Sequence, residues 1–415
     1  MDRLLLLLPT TTYRTDDFVD AATALGVDLI CASEAPNTFE ALAPDNLLTL
    51  DFADPDGAAA AVARFAERQP IRAVVGVDDR TTVTAAAIAA RLGLRANSIA
   101  SASAARDKHL MRERLAAAGV RQPAFRLIPL DVDPTATAGT LDYPCVVKPL
   151  ALSASRGVSR ADDAAQFAAA VARIRAILDG LDVAVGEDGR RALLVEQFVP
   201  GVEVALEGLL VEGDLRVLAL FDKPDPLDGP YFEETIYVTP SRLPDDVQKA
   251  IAETTAAACV ALGLTDGPVH AELRVNSQGP WVIEVAARSI GGLCSRTLRF
   301  GTGMTLEELI LRHALGWPLQ SMDRDRRAAG VMMIPIPRAG RFLGVRGLEA
   351  AGAVRHVEDV VISAHPGPEL IPLPEGWQYL GFIFARAETP EDVEAALRTA
   401  HAALDFDLDD APRTG

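Results

Sequence analysis

The N-terminal part of the chain alternates short apolar runs with segments of helical periodicity. The apolar runs are Leu4–Leu8, Asp28–Ala32 and Ala73–Val77, and the helical segments that follow them are near Asp16–Leu25, Pro55–Arg68 and Thr81–Leu92. This alternation is typical of parallel strands joined by crossover helices. We therefore predict a Rossmann-like domain with a parallel sheet over residues 1–98.

The middle of the chain carries longer strand patterns. A helix is predicted near Ser103–Ala118, with Ser103 as its N-cap and Gly119 just beyond its end. A helix near Asp245–Leu262 is also predicted, and the predicted strands are Tyr143–Lys148, Ala192–Gln197, Val202–Val211, Leu215–Asp222, Val269–Val275 and Trp281–Ala287. We predict a second domain over residues 99–323, with one lobe at about 143–200 and the other at about 201–323.

The segment after about Arg324 has closely spaced prolines and glycines, followed by strand-like runs. A helix is predicted near Pro390–Leu404, which completes an α+β domain over residues 324–415. The fold class predicted for the whole chain is therefore α/β, with α+β lobes.

Composition and charge narrow the class of protein. The 415 residues are 49% hydrophobic and only 5% aromatic, which suits helices that cover sheets. The formal charge of −18 argues against a nucleic-acid or anionic-membrane partner. The four cysteines form no CxxC pair, and the apolar run Leu4–Leu8 is too short for a signal peptide or membrane span. We expect a cytoplasmic protein.

The sequence lacks the usual nucleotide-binding motifs. No GxGxxG follows any predicted strand, and no GxxxxGK[ST] is present. The ordinary dinucleotide-binding and P-loop interpretations therefore lose their main support.

Two alternating segments, His270–Val275 and Trp281–Arg288, form the strongest local pattern, and their connection is typical of a hairpin. A three-residue turn of Ser277, Gln278 and Gly279, with Gly279 at positive φ, would pair Asn276 with Pro280. It would also place Glu272 opposite Glu284. A two-residue turn would put the two carboxylates on opposite faces of the sheet.

Opposed carboxylates repel each other unless a cation lies between them, and Mg²⁺ commonly takes one or two protein carboxylates. The strand period of two also directs Arg288 to the face of Glu284, where it could neutralise charge on a transferred phosphoryl group. Taken alone, a solvated hairpin face with Arg288 paired to Glu284 is the favoured alternative.

Two further segments could contact a nucleotide. Lys148 ends a buried strand and precedes a loop containing Ser153, Ser155 and Gly157, which offers a cation, hydroxyls and N–H groups to phosphates. A surface lysine with a plain hairpin loop is an equal alternative. The strand and turn from Leu193 to Glu203 could offer backbone groups to adenine and a carboxylate to ribose, although an ordinary strand–turn–strand is also common.

The order and spacing of these elements together resemble the ATP-grasp superfamily, whose two lobes close on ATP. The resemblance implies ATP and Mg²⁺ as cofactors, with Mn²⁺ as an alternative metal. It implies metal ligation by Glu272 and Glu284, and catalysis by Arg288. The implied contacts to ATP are Lys108, Lys148, Ser153, Ser155, Gly157, Glu196, Gln197, Phe198, Val199 and Glu203. Lys223 is added to these contacts because it ends a strand before a polar loop.

Within the superfamily, the chain is most similar to the L-amino acid ligases. That likeness rests on the segments 222–235, 330–340, 372–376 and 381–382. It implies amino acid substrates, bound by Arg288, Ser289, Gly291 and Gly292, and an acyl-phosphate reaction that yields ADP and phosphate. Ala286 departs from the family pattern, in which many relatives have an asparagine there, so the number of metal ions stays open.

Three alternatives remain at this point. An ATP-grasp ligase of nucleotide biosynthesis or a biotin-dependent carboxylase would keep the fold and change the substrate. A nucleotide-binding regulator without catalysis would keep the cleft alone. The sequence also leaves the oligomeric state open between a monomer and a homodimer.

Overall fold

The computed structural model describes residues 2–37, 43, 45–150, 152–180, 192–319 and 321–409. The predicted parallel sheet at the N-terminus is confirmed, with strand order β3-β2-β1-β4. Its elements are β1 (Arg3–Leu7), α1 (Thr15–Leu25), β2 (Asp28–Ser33), β3 (Leu47–Thr49), α2 (Pro55–Ala66), β4 (Ala73–Gly76) and α3 (Asp79–Leu92). The leucines of β1 are fully buried because helices pack on both faces of this central strand.

The helix predicted near Ser103–Ala118 is instead two helices, α4 (Ile99–Arg106) and α5 (Lys108–Ala117). The prediction of Ser103 as the N-cap is wrong, because Ser98 caps α4 and Asp107 caps α5. The Asp107 carboxylate accepts a hydrogen bond from the Leu110 N–H at 2.9 Å. Lys108 is therefore the first residue of a helix rather than a residue on its middle turns.

The first lobe of the middle region is a four-stranded antiparallel sheet in the order β5-β8-β6-β7. Two helices, α6 (Pro134–Ala138) and α7 (Ala164–Asp179), accompany this sheet. The strands are β5 (Phe125–Pro129), β6 (Cys145–Pro149), β7 (Ser159–Ala161) and β8 (Ala192–Gln197). Phe167 and Ile174 of α7 pack on Val147 of β6 in one apolar cluster.

The second lobe is built on an eight-stranded antiparallel sheet in the order β13-β12-β9-β10-β11-β14-β18-β16. The strands are β9 (Val202–Val211), β10 (Asp214–Asp222), β11 (Ile236–Thr239), β12 (Gly267–Asn276), β13 (Gly279–Ala286), β14 (Ala328–Ile334), β16 (Val357–Ile362) and β18 (Gly381–Ala387). The helices α8 (Asp245–Leu262) and α9 (Leu306–Ala314) precede β14. Pairing between β11 and β14 continues this sheet into the C-terminal region.

The C-terminal region adds a small antiparallel sheet in the order β17-β15-β19. Its elements are β15 (Gly340–Arg346), α10 (Leu348–Gly352), β17 (Glu369–Leu370), α11 (Pro390–Ala402) and β19 (Asp405–Asp409). Buried Val393, Leu397 and Ala400 of α11 join the apolar cluster that contains β14 and β18. Among the described residues, no helix is both long and apolar enough to cross a membrane.

The hairpin of β12 and β13 corrects the predicted turn. Asn276 pairs with Gly279, so the turn has two residues, and Gly279 takes the expected positive φ of 105°. Glu272 nevertheless pairs with Glu284, as predicted, because Ile283 is an extra residue that forms a β-bulge. A bulge shifts the register by one residue and returns the two carboxylates to the same face.

The turn between β8 and β9 gives a stability prediction. Gly201 has φ 128°, and a Cβ there would lie 2.2 Å from the Val275 carbonyl oxygen in β12. We expect Gly201→Ala to lower the free energy of unfolding by more than about 3 kcal/mol, from strain and collision together.

Gly213→Ala is the matched control, because Gly213 also has positive φ but has open space around it. We expect it to cost about 1 kcal/mol. Urea unfolding followed by circular dichroism measures both variants, and equal losses would contradict the collision with Val275.

Candidate active site

An open cleft of about 690 Å³ lies between the two lobes. Its walls come from β6, β8 and the following loop of the first lobe, from β12 and β13 of the second, and from the start of α5. Most residues predicted to contact ATP or metal line this cleft. They are Lys108, Lys148, Ser153, Ser155, Glu196, Gln197, Phe198, Val199, Glu203, Glu272 and Glu284.

Glu196 lies at one end of the cleft as a buried carboxylate between two cations. Its oxygens are 2.6 Å from the Arg112 Nε and 2.6 Å from the Lys148 Nζ. Against the effect of burial, Arg112 and Lys148 hold the pKa of Glu196 at about 2. Burial lowers the pKa of the Lys148 ammonium, and Glu196 opposes this shift. The Glu196 side chain is therefore already occupied by two cations.

Arg112 was not predicted from the sequence, although its spacing from Lys108 places both on one face of α5. Besides Glu196, its guanidinium donates to the carbonyls of Val282 at 3.1 Å and Ile283 at 2.5 Å. Ile283 is the residue that forms the bulge. Arg112 therefore links Glu196 of the first lobe to the β-bulge that places Glu272 opposite Glu284.

Lys108 connects the phosphate-loop candidate with the paired carboxylates. Its Nζ donates to the Leu152 carbonyl at 2.9 Å and lies 3.4 Å from Glu284 Oε1. Lys108 and Glu284 both line the cleft. An anionic ligand in the cleft can therefore replace Glu284 as the partner of the Lys108 ammonium.

The loop after β6 divides its predicted residues between two surroundings. Ser153 and Ser155 line the cleft. Gly157 does not line the cleft. Its N–H instead donates to the Pro374 carbonyl at 2.8 Å. Arg156 Nε likewise donates to the Glu375 carbonyl at 2.8 Å. The predicted contact of Gly157 with phosphate is thus replaced by a contact with the C-terminal region.

The connection from β8 to β9 places an aromatic ring in the wall of the cleft. The Phe198 ring has the Arg160 guanidinium 4.2 Å from its centroid and the Arg274 guanidinium 5.1 Å from it. Arg274 also donates to the Val199 carbonyl at 2.9 Å and lies 2.9 Å from Glu203. The connection is therefore held rigidly by Arg274, which sequence reasoning missed.

Lys223 was predicted to contact phosphate, but the structure places it among carboxylates. Its Nζ is 2.9 Å from Glu203 and 3.6 Å from Glu272, and it bonds to Glu234 as well. Against burial, these three carboxylates raise the pKa of Lys223 well above its ordinary value. Burial raises the pKa of Glu234 to about 7. Lys223 therefore compensates carboxylate charge rather than facing the cleft.

The paired glutamates fit a magnesium ion. Their side chains are 22% and 29% exposed, and Glu272 also lies 3.6 Å from His270 Nε2. Against burial, Lys223 holds the pKa of Glu272 well below its usual range, so this carboxylate is ionised. Hard cations prefer such oxygen ligands. Glu203, Glu234 and Glu272 also lie close enough for a metal, but the Lys223 ammonium already lies among them.

Ala286 follows this pair at the end of β13, where it pairs with His270 of β12. Its methyl side chain is buried and offers no ligand atom. The facing pair alone therefore supplies the protein carboxylates at this point of the hairpin.

Arg288 lies just beyond the end of β13 and is held from outside the cleft. Its Nη2 donates to Asp79 Oδ2 at 2.8 Å, and its Nη1 donates to the Ser289 carbonyl at 2.9 Å. Against burial, Asp79 raises the pKa of Arg288 above its ordinary value, and Glu284 adds to this effect. Asp79 is the first residue of α3, and no sequence signal linked it to the site.

The other predicted substrate contacts differ in exposure. Ser289 is buried, and its Oγ accepts a 2.6 Å hydrogen bond from Arg14. Gly291 has open space around it. Gly292 has φ 58°, and a Cβ there would lie 3.0 Å from the Phe382 ring. Only Gly291 therefore leaves room for a ligand directly at its Cα.

A buried ionic network lies beneath this segment. Arg14 lies 2.6 Å from Glu307 and donates to the Ile290 carbonyl, while Glu207 accepts from the Ile290 N–H at 3.0 Å. Against burial, the hydrogen bond to Glu207 raises the pKa of His270 to about 9. His270 lies two residues before Glu272 in β12 and shares its face, as their contact shows.

Comparisons with known families agree with this architecture. Residues 141–297 match the ATP-grasp domain, residues 19–94 match the ATP-grasp N-terminal domain, and residues 332–409 match the L-amino acid ligase C-terminal domain 2. The chain therefore contains an ATP-grasp domain, which lies between an ATP-grasp N-terminal domain and an L-amino acid ligase C-terminal domain.

Among ATP-grasp proteins, the chain resembles the L-amino acid ligases. The crystal structure of L-amino acid ligase from Bacillus licheniformis is 26% identical and superposes with a TM-score of 0.80, over 99% of each chain. Alanine–anticapsin ligase from Bacillus subtilis is 27% identical over 53% of this chain, and the alignment spans only about half (49%) of that protein.

Another solved structure, of lower identity, shares the fold alone. Carboxyaminoimidazole ribonucleotide synthase from Aspergillus clavatus, solved with ATP, is 17% identical. It superposes with a TM-score of 0.72 over 97% of this chain and 98% of that one.

The charge network at Glu196 gives a pH prediction. Its pKa is lowered from 4.5 to about 2, so its stabilising contribution is complete above pH 4.5 and is lost as the pH falls towards 2. Removing one member of a buried ion pair costs roughly 3–5 kcal/mol. We therefore expect Glu196→Gln to destabilise the protein strongly at pH 7, with the difference from wild type shrinking between pH 4.5 and 2.

Urea unfolding at several pH values measures this difference. Glu253→Gln serves as the control, because Glu253 forms only an exposed pair with Lys249 at 3.8 Å. It should change stability by less than about 1 kcal/mol. A Glu196→Gln penalty that stays constant down to pH 2 would contradict the assignment.

Proposed function

We propose that the protein joins two amino acids, or an amino acid and a related amine, in an ATP-dependent reaction through an acyl phosphate. The observation that carries this proposal is the pairing of Glu272 with Glu284 across β12 and β13, beside Lys108 and Lys148 in one cleft. Opposed carboxylates next to cations suit a metal-bound triphosphate. The match of residues 332–409 favours amino acid substrates.

We assign the cleft from its two ends. The backbone from Glu196 to Val199 would face adenine, and Glu203 would face the ribose hydroxyls. Lys108, Lys148 and the hydroxyls of Ser153 and Ser155 would contact the phosphates, because they supply cations and hydroxyl groups to the same cleft. Lys148 must then exchange part of its contact with Glu196 for phosphate.

Glu272 and Glu284 would hold Mg²⁺, which supplies charge neutralisation at the phosphate oxygens. Lys223 and Lys108 are the cations that let the two carboxylates stand together before any metal binds. Manganese has similar ligand preferences and is an alternative ion.

The chemistry proceeds in two displacement steps. A substrate carboxylate attacks the γ-phosphorus of ATP, the bond from that phosphorus to the bridging oxygen breaks, and ADP leaves. The amine of the second substrate then attacks the acyl carbon, the bond from that carbon to the phosphate oxygen breaks, and phosphate leaves with that oxygen while the nitrogen gives up a proton to solvent. Arg288 would stabilise the negative charge that develops in these steps, since it is held next to the glutamate pair.

Other ATP-grasp functions are less well supported. The likeness to carboxyaminoimidazole ribonucleotide synthase is at 17% identity, whereas the L-amino acid ligase structure matches at 26% over the whole chain. A regulator without catalysis has no need for an arginine close to a pair of facing carboxylates.

The first functional prediction concerns the products. Phosphate release should occur with Mg-ATP and a pair of amino acids, and the nucleotide product should be ADP rather than AMP. With the carboxylate substrate labelled with oxygen-18, one labelled oxygen should appear in the released phosphate. A mass-spectrometric screen of amino acids, singly and in pairs, measures both.

Single amino acids show whether two different substrates are required, because each carries both a carboxylate and an amine and can also be joined to itself. AMP as product, or unlabelled phosphate together with amide, would overturn the acyl-phosphate route. Activity only with bicarbonate or a ribonucleotide would overturn the substrate class.

The second prediction concerns the metal ligands. Glu272→Gln and Glu284→Gln should each lower kcat on the order of 100-fold or more, because each removes a charge that holds magnesium on the triphosphate. Both variants should stay folded, since each glutamate is partly exposed. Asp214→Asn, an exposed change at the start of β10, is the control and should leave the rate unchanged. Wild-type turnover in either glutamine variant would remove the metal assignment.

A further inference from the structure

An ion pair connects the N-terminal domain to the candidate catalytic arginine. Asp79 and Arg288 are separated by 209 positions, yet Asp79 Oδ2 lies 2.8 Å from Arg288 Nη2. Their side chains are 18% and 15% exposed. The pair therefore lies at the boundary between two domains, where solvent screens it only partly.

The fold fixes the position of Asp79 closely. Asp78 is the N-cap of α3, its carboxylate accepts from the Arg80 N–H at 3.2 Å, and Thr81 completes a capping box. The preceding Gly76 ends β4, and a Cβ there would lie 2.8 Å from Thr81 Oγ1. A capped helix that begins this close to its strand leaves Asp79 little freedom to move.

The N-terminal domain contacts the segment of Arg288 and Ser289 at a second point, through Arg14. Arg288 Nη1 donates to the Ser289 carbonyl, and the Ser289 hydroxyl accepts from Arg14 at 2.6 Å. Arg14 precedes α1 and is buried against Glu307. An arginine side chain loses about 2 kcal/mol of rotamer entropy when it is fixed. These contacts fix Arg288 before substrate arrives.

We propose that Asp79 is a positioning residue, which holds the Arg288 guanidinium in the orientation needed for phosphoryl transfer. The N-terminal domain is then part of the catalytic machinery through this one carboxylate. The proposal rests on the proposed function, in which Arg288 meets the developing charge.

Asp79 is unsuited to act as a base. Arg288, Lys108 and His270 are the cations that act on it, and against burial Arg288 lowers the pKa of Asp79. A carboxylate that is already paired at 2.8 Å orients its partner better than it accepts a proton.

The test compares two ion pairs that join the same domains. Asp17 of α1 lies 3.0 Å from Arg296, in the short 3₁₀ helix Cys294–Thr297, and neither residue lines the cleft. We expect Asp79→Asn to lower kcat roughly 10- to 100-fold, with less than about a threefold change in the KM for ATP. Asp17→Asn should change kcat less than about twofold, and Asp79→Glu should recover part of the loss.

A double variant shows whether Asp79 acts through Arg288. In the Arg288→Ala background, Asp79→Asn should reduce kcat by less than about a further twofold, because the positioned group is gone. Full additivity of the two losses would overturn the proposal. So would an Asp79→Asn loss no larger than that of Asp17→Asn.

A measurement without turnover separates this proposal from the proposed function. The Arg288 Nη2–H signal in a ¹⁵N NMR spectrum, assigned by its absence in Arg288→Ala, should exchange with solvent at least about tenfold faster in Asp79→Asn, because Nη2 is the donor to Asp79. It should be unchanged in Asp17→Asn. An unchanged exchange rate in Asp79→Asn overturns the positioning role. If wild type is inactive with every amino acid pair while this difference persists, the proposed function fails and the restraint of Arg288 by Asp79 stands.

Discussion

A carboxylate that leaves water costs several kcal/mol unless a cation and hydrogen bonds compensate it, and this requirement organises the cleft. Glu196 lies between Arg112 and Lys148, while Glu203 lies between Lys223 and Arg274. In each case the partners come from different strands or helices. The charges that would hold a nucleotide therefore also hold the lobes in register, and a change that removes one of them disturbs both roles.

The bulge at Ile283 shows how this compensation reaches the metal candidates. A regular two-residue hairpin would separate Glu272 from Glu284 by placing them on opposite faces. The extra residue restores the pair, and Arg112 stabilises the distorted backbone by bonding to the Ile283 carbonyl. One arginine thus neutralises a carboxylate in the first lobe and supports the geometry of the second.

Periodicity predicted the parallel sheet and most strands of the middle region, because these features depend on local alternation. The pairing of Glu272 with Glu284 was predicted on a three-residue turn, whereas a two-residue turn and the bulge at Ile283 produce it. It failed where distant residues decide. The bulge needs a partner for its carbonyl, and Asp107 interrupts a continuous helical pattern by capping α5. Asp79 and Arg14 carry no local signal, since their importance comes from contacts with residues more than 200 positions away. The roles assigned to the site residues stay predictions until they are measured.

Gly157 and Arg156 donate hydrogen bonds to the backbone carbonyls of Pro374 and Glu375. These bonds limit how far the last domain can be separated from the central one. A loop of the central domain relies on carbonyl groups supplied by the last domain, and backbone groups are present whatever side chains occupy those positions. Side-chain substitutions in this part of the last domain therefore leave the support in place. Recombination that exchanges the last domain, in contrast, must preserve the path of its backbone around residue 374, or the loop at the cleft loses these two bonds.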